Sequence, residues 1–385
     1  MALANAASKK VESVKTAPSA DVYTRIGVKP IINGVGTVTV LGGSLMPAEV
    51  VQAMNDASKH FVSVPELQKK VGARIAELLK VPAAMVTCGA ASAIAVGTAA
   101  CMSRGDRKTL GQMPDVAEGG RFEVIQQKSH RSGYEHQMRI QGAKVVTVET
   151  VEELERAISP KTAMMFFLNK HDPEGKIKWQ DWVAIGKKHN VPTFNDAAAD
   201  VPPKENLWKY VQGGFDLVTF SGGKGLLGPQ ASGLLLGRQD LIESAREAIS
   251  PAGGVGRGMK VGKEEMMGVL AALELFLKTD HDAEFRELDK RVSEMTASLS
   301  KVKGLNLSRE VPVLANVVPH LRVKWDEAGL KLTSAQVVSQ LRDGDPAIHV
   351  SRHGAGSLLI SVWMMRGNEH KIVAQRLGEI MRNAG

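Results

Sequence analysis

Three reactive groups stand at the ends of apolar runs in this chain. The stretch 218–237, VTFSGGKGLLGPQASGLLLG, ends a β-type run at Phe220, places Lys224 in a glycine-rich turn and starts a second apolar run almost at once. Upstream, VPTFNDAAAD (191–200) delivers Asp196 at the end of another short run. Further upstream, TCGAASAIAVG (87–97) passes from a strand pattern into small residues at a helix start, around Ala91 and Ser92. An amine in a tight turn can act as nucleophile or base. A carboxylate at a strand end can hold a cation. The free N–H groups of a helix start, with the Ser92 hydroxyl, suit a phosphate dianion. Glycines around Lys224 let the backbone approach a planar ligand closely.

The elements that must position these groups alternate between strand and helix patterns. Apolar runs at 84–87, 122–126, 144–148, 163–168, 192–195, 217–220 and 232–236 are separated by helical patterns from about Ser92 and Ser132, at 151–158 and at 179–189. That order predicts an α/β fold, a mostly parallel sheet with helices on its faces. Open α/β sheets bind ligands at the carboxyl ends of their strands, so the amine, the carboxylate and the anion cradle are expected to converge there. After Gly262 the pattern changes to long helices at 263–278 and 280–302, strands at 316–323, 348–351 and 358–362, and a helix from Glu369. We therefore expect a disordered lead-in at 1–20, an N-terminal segment at 21–50 joining the small domain, a large domain at 51–262 and a smaller α+β domain at 263–385. The segment 31–45, IINGVGTVTVLGGSL, reads as too irregular for a single element.

Composition bounds the rest. A chain of 385 residues with 43% hydrophobic and 23% charged residues can bury a full core, which excludes a wholly disordered or fibrous protein. The charge is +8, from 49 Lys and Arg against 41 Asp and Glu, and favours anionic partners. Acids interrupt the bases throughout, so no nucleic-acid stripe is formed. Cys88 and Cys101 offer no disulfide framework, and no apolar run is long enough to cross a membrane; a cytoplasmic location is expected. Cys88 beside the cradle reads as a small core residue, and His349 with His353 lack a third ligand, so no metal is expected.

An amine, a carboxylate and a phosphate cradle are what pyridoxal 5'-phosphate needs from a protein. Their order and spacing resemble fold-type I pyridoxal-phosphate enzymes. Within them, SGGKGLLGPQASG and IINGVGTVTVLGG resemble the lysine motif and N-terminal signature of the selenocysteine synthase-like (SelA-like) family. The resemblance runs from about Val22 to the C-terminus and is strongest to the D-glucosaminate-6-phosphate ammonia-lyase type of member. It implies the fold-type I transferase fold, with a seven-stranded type of sheet in the large domain. It also implies Lys224 as the lysine that binds the cofactor covalently, Asp196 as the partner of its ring nitrogen, and Ala91, Ser92 and Ser221 around its phosphate. His130, in KSHRSGYEHQMRIQG, is implied as a ring stacked on the cofactor and as catalytic, with Tyr134 and His136 as weaker choices. Asn169, in FFLNKHDPEG, is expected to reach the cofactor or the substrate. Asn33, Arg257, Lys260 and Arg352 are candidate substrate contacts, with Arg366 nearby, because guanidinium suits a carboxylate.

The activity implied is a lyase: α,β-elimination from a small hydroxylated, anionic amino acid or aminosugar acid, giving a 2-oxo acid and ammonia. The alternatives are a selenocysteine synthase-type transferase on seryl-tRNA, or a racemase or aldolase on the same cofactor. The synthases carry a tRNA-binding domain ahead of the matching region, where this chain has only about 20 residues. A small-molecule substrate without nucleic acid is therefore expected, and the resemblance implies a homodimer or higher homo-oligomer.

Overall fold

The computed structural model describes residues 22–116 and 120–384, so the lead-in expected at 1–20 lies outside the described residues. The chain forms strands β1 (Ile31–Gly34), β2 (Ala83–Thr87), β3 (Glu123–Gln127), β4 (Lys144–Val148), β5 (Thr162–Leu168), β6 (Thr193–Asp196), β7 (Leu217–Ser221) and β8 (Gly233–Gly237). They are followed by β9 (Leu305–Glu310), β10 (His320–Trp325), β11 (Ala347–Arg352) and β12 (Ser357–Ser361).

Seven strands form one sheet in the order β2-β8-β7-β6-β5-β3-β4, and only β8 runs against its neighbours. Its central strands are buried along their length because helices cover both faces, which is why they read as continuous apolar runs rather than alternating ones. One face holds the helix Ala90–Ser103, whose alanines bring it close to the sheet and in which every residue but the exposed Ala91 is buried. The other carries an aromatic cluster in which Phe167 meets Trp182 and Phe215 at ring distances of 5.9 Å.

The second sheet has the order β1-β11-β12-β10-β9, with β1 parallel to β11 and the other pairs antiparallel. Helices His281–Leu299, Ser334–Arg342 and Glu369–Ala384 contribute to its core with Leu321, Val323 and Ile360. The irregular segment at 31–45 becomes β1 followed by turns, and Asn33 lies opposite His349. Strand β9 has no counterpart in the sequence reading: it is a half-exposed edge strand, LNLSRE, with only two apolar side chains to mark it. The helix expected from Ser132 is instead a short 3-10 turn leading into the four-residue helix His136–Arg139. There Ser132 caps Glu135, whose carboxylate is held between Arg131 and Arg139.

Candidate active site

The register of the large sheet assembles the site. Leu168 at the end of β5, Asp196 at the end of β6 and Thr219 in β7 lie on one rung, so the residues that follow each strand emerge side by side. Asn169 and Lys170 follow β5, the loop 197–201 follows β6, and the lysine turn follows β7. The N–H of Ser221 donates to the carbonyl of Ala198 at 3.2 Å and ties the lysine strand to the aspartate loop.

Lys224 is half-buried in a turn held from several sides. The Ser44 hydroxyl donates to the Gly223 carbonyl at 3.1 Å, and Gln230 Nε2 donates to the Thr39 carbonyl at 2.8 Å. Glycine is required at 225: a Cβ there would lie 2.0 Å from the Val201 carbonyl oxygen and 3.2 Å from the Trp363 ring. The turn is therefore clamped between the N-terminal segment, the aspartate loop and the second sheet's core.

Burial lowers the pKa of Lys224, and Asp196 and Asp200 oppose that shift, while Lys170 adds to it. Asp196 is 4% exposed; burial raises its pKa, against the N–H of Ala198, which donates to its Oδ1 at 3.0 Å, and the charge of Lys224. An amine whose charged form is disfavoured is a better nucleophile and base near neutral pH than a free lysine.

The anion cradle lies at the start of helix Ala90–Ser103. Gly89 has φ +123°, a region other residues rarely enter, and turns the chain from β2 into the helix. Ser92 is 5% exposed and its buried hydroxyl has no hydrogen-bond partner in the protein. A buried hydroxyl without a partner is costly unless a ligand completes it. With the free N–H groups of the helix start it fits a phosphate. The donor set as a whole fits pyridoxal phosphate: cradle, carboxylate and amine follow β2, β6 and β7, whose carboxyl ends lie at the same edge of the sheet.

Other expected residues are placed differently. His130 is fully buried, packs edge-on against Phe167 at 4.5 Å, and accepts the Leu168 N–H on Nδ1 at 3.2 Å. Phe167 shares a rung with Asn195, so the ring lies on the sheet face opposite the one that bears Leu168 and Asp196. The structure thus places His130 as an enclosed imidazole whose pKa burial pushes down to about 4. Tyr134 and His136 are exposed on the neighbouring turn.

Asn33 closes its own turn: its Oδ1 accepts the N–H groups of Val35 and Gly36 and its Nδ2 donates to the Gly36 carbonyl. Arg257, Lys260, Arg352 and Arg366 are exposed, while Asp196, Asp200 and Lys170 are the charges that shift the pKa of Lys224.

Asn169 is 1% exposed and its Nδ2 donates to Asp200 Oδ2 at 2.6 Å and to the Tyr210 hydroxyl at 2.8 Å. Asp200, Tyr210 and Lys170 were not singled out by the sequence reading. A signal was present for Asp200, an acid four residues past Asp196 at the end of an alanine run, and for Lys170, a cation directly after Asn169. No group of three His, Cys, Asp or Glu able to hold a metal occurs among the described residues, and none of their helices is long and apolar enough to cross a membrane.

With this geometry in hand, comparison with known proteins decides the family. The family profile described as L-seryl-tRNA selenium transferase, SelA, matches residues 31–310. The chain belongs to the SelA family. Among its relatives, D-glucosaminate-6-phosphate ammonia lyase of Salmonella typhimurium is 29% identical over 377 residues, which span 94% of this chain and 99% of that protein. A solved structure of D-glucosaminate-6-phosphate ammonia-lyase superposes with a TM-score of 0.82 at 28% identity, covering 95% of this chain and 99% of that one.

The 5'-C-glycyluridine monooxygenase-decarboxylase of a Streptomyces species is 28% identical over 378 residues, 94% of this chain and 92% of that protein. Serine palmitoyltransferase of Sphingomonas wittichii, at 14% identity with a TM-score of 0.58 over 93% of this chain and 88% of that one, shares the fold. This SelA-family chain thus has the fold of the fold-type I pyridoxal-phosphate enzymes.

Proposed function

We propose that this protein is a pyridoxal-phosphate-dependent lyase acting on a small, anionic hydroxyamino acid or aminosugar acid. It eliminates the β-hydroxyl and releases ammonia and a 2-oxo acid. The observation that carries the reading is the Lys224 amine, its charge disfavoured by burial, set against Asp196 on strand ends that also hold the unpartnered Ser92 hydroxyl. The full-length relative named as an ammonia lyase supports the reaction class.

Pyridoxal phosphate supplies an electron sink that stabilises negative charge at the substrate Cα. Lys224 would hold it covalently, Asp196 would pair with its ring nitrogen, and Ala91, Ser92 and Ser221 would hold its phosphate. Once substrate frees its amine, Lys224 takes the Cα proton. The resulting ammonium then protonates the departing β-hydroxyl, which leaves as water. Water re-enters when the nitrogen is released as ammonia, so hydroxyamino acid goes to 2-oxo acid and ammonia with no net water consumed. Asn169, bound to Asp200 and Tyr210, orients the β5 exit. Lys170, an exposed cation at that exit, attracts the substrate's anionic group.

We also infer a homo-oligomer, a dimer or larger. Ile26, Val40 and Phe61 in the N-terminal part are 71%, 88% and 103% exposed, which is apolar surface suited to a second copy. Light scattering of the purified protein checks it. The mixed basic surface and free cysteines support a cytoplasmic enzyme on small molecules.

Protein loaded with the cofactor is expected to absorb violet light, and Lys224→Ala to lose that band. Ammonium release is then measured on a panel of D- and L-hydroxyamino acids and phosphorylated aminosugar acids. Turnover only with seryl-tRNA would replace the lyase by the transferase reading. Oxygen-dependent decarboxylation of a glycyl nucleoside would replace it by the chemistry named for the Streptomyces relative.

A further inference from the structure

Asp200 is a second acid beside the Asp196–Lys224 pair. It is 1% exposed, on the same loop as Asp196 and four residues beyond it. Its Oδ2 accepts from Asn169 Nδ2 at 2.6 Å, its carbonyl accepts from Asn206 Nδ2 at 2.7 Å, and its own N–H donates to the Ala197 carbonyl at 3.0 Å. The Asn169 amide that holds it is the first residue after β5, next to the Leu168–Asp196 rung, and is held in turn by Tyr210. Three elements therefore converge to fix a carboxyl that a loop needing only closure could have replaced with an apolar side chain.

The charges around it are mixed. Asp196 repels its ionised form, while Lys224 and Lys209 favour it, and Asn169 stabilises it by hydrogen bonding. Lys170 acts on Asp196 and Lys224 from the β5 exit, and Asp172 acts on Tyr210. Burial dominates and raises the pKa of Asp200 to about 7. Its carboxyl thus exchanges its proton near neutral pH, while burial lowers the pKa of Lys224 from its ordinary value.

We propose that Asp200 is a positioning residue of the Lys224 centre: locked through Asn169 on the Asp196 loop, whose next residue Val201 packs against Gly225 beside Lys224, it is a second carboxyl that sets how firmly the Lys224 nitrogen holds a proton. This rests on the cofactor reading above. The visible absorbance of the loaded enzyme, titrated from pH 5 to 9, reports the protonation of the lysine-linked nitrogen independently of turnover. In Asp200→Asn we expect the midpoint to fall by about half a pH unit or more, as for removing one negative charge beside a cation. Asp200→Glu should restore it. Wild-type protein carrying carboxyl-labelled aspartate should show a carbon resonance titrating near pH 7 that is absent from Asp200→Glu, and this holds even if the asparagine variant fails to fold.

A midpoint that Asp200→Asn leaves in place, or no aspartate resonance above about pH 5.5 that Asp200→Glu removes, would overturn the assignment. Absence of any visible band in loaded wild type would instead overturn the cofactor reading itself.

Discussion

The backbone N–H of Leu168 donates to Nδ1 of His130 at 3.2 Å, which fixes the imidazole as a neutral acceptor. The ring is fully buried with its pKa pushed down to about 4, below the ordinary histidine value near 6.5. A group whose folded pKa is depressed contributes stability that is complete above its unfolded value and lost as pH falls towards the folded one. We expect thermal stability to drop between about pH 6.5 and pH 4, by up to roughly 3 kcal/mol from this residue. His130→Gln should be less stable at pH 7.5 yet less sensitive to acid. A parallel pH dependence in the two proteins would refute the assignment.

Asp200 works with the opposite sign. Its pKa is raised from 3.8 to about 7, so its contribution to folding is greatest below pH 4 and is lost as pH rises through 7. In the cofactor-free protein, Asp200→Asn is expected to raise the melting temperature at pH 8.5 relative to wild type and to lose that advantage by pH 5. Calorimetry at the two pH values measures it.

Ser92 separates ligand binding from folding. Its hydroxyl is buried without a partner in the protein, so Ser92→Ala removes no internal hydrogen bond and should leave stability unchanged or slightly higher. Pyridoxal-phosphate affinity should fall by about 10-fold, the loss of one hydrogen bond to a charged group. Fluorescence titration of the unloaded protein reads the affinity, and an unchanged value would exclude Ser92 from the cradle.

Gly225 tests the clamp on the lysine turn. A methyl group placed 2.0 Å from the Val201 carbonyl cannot be accommodated without moving backbone, so Gly225→Ala should displace the turn. We expect about 1–3 kcal/mol of destabilisation and a loss of cofactor retention greater than that of Ser92→Ala. Wild-type retention by this variant would show that the turn adjusts freely.

The sequence by itself determined the succession of strands and helices and the strand ends that carry Lys224, Asp196 and Ser92. Buried parallel strands read as short apolar runs, and glycine and small-residue punctuation is local information. The long helix at Lys263–Lys278 was legible in full for the same reason, whereas the half-exposed edge strand β9 was not. What only the tertiary structure decided is which side chains face one another.

His130 and Asp196 both belong to strand-end segments, but the two-residue alternation along β5 and β6 puts the His130 ring against Phe167 on the far face. Asn33 closes a turn of its own, a local bond pattern that its residue type alone does not reveal. Asp200 and Lys170 entered because the rung through Leu168, Asp196 and Thr219 brings three distant segments into register. Pairing between strands far apart in the chain is a non-local contact. A single sequence records the reactive residue types but not the register that makes them neighbours.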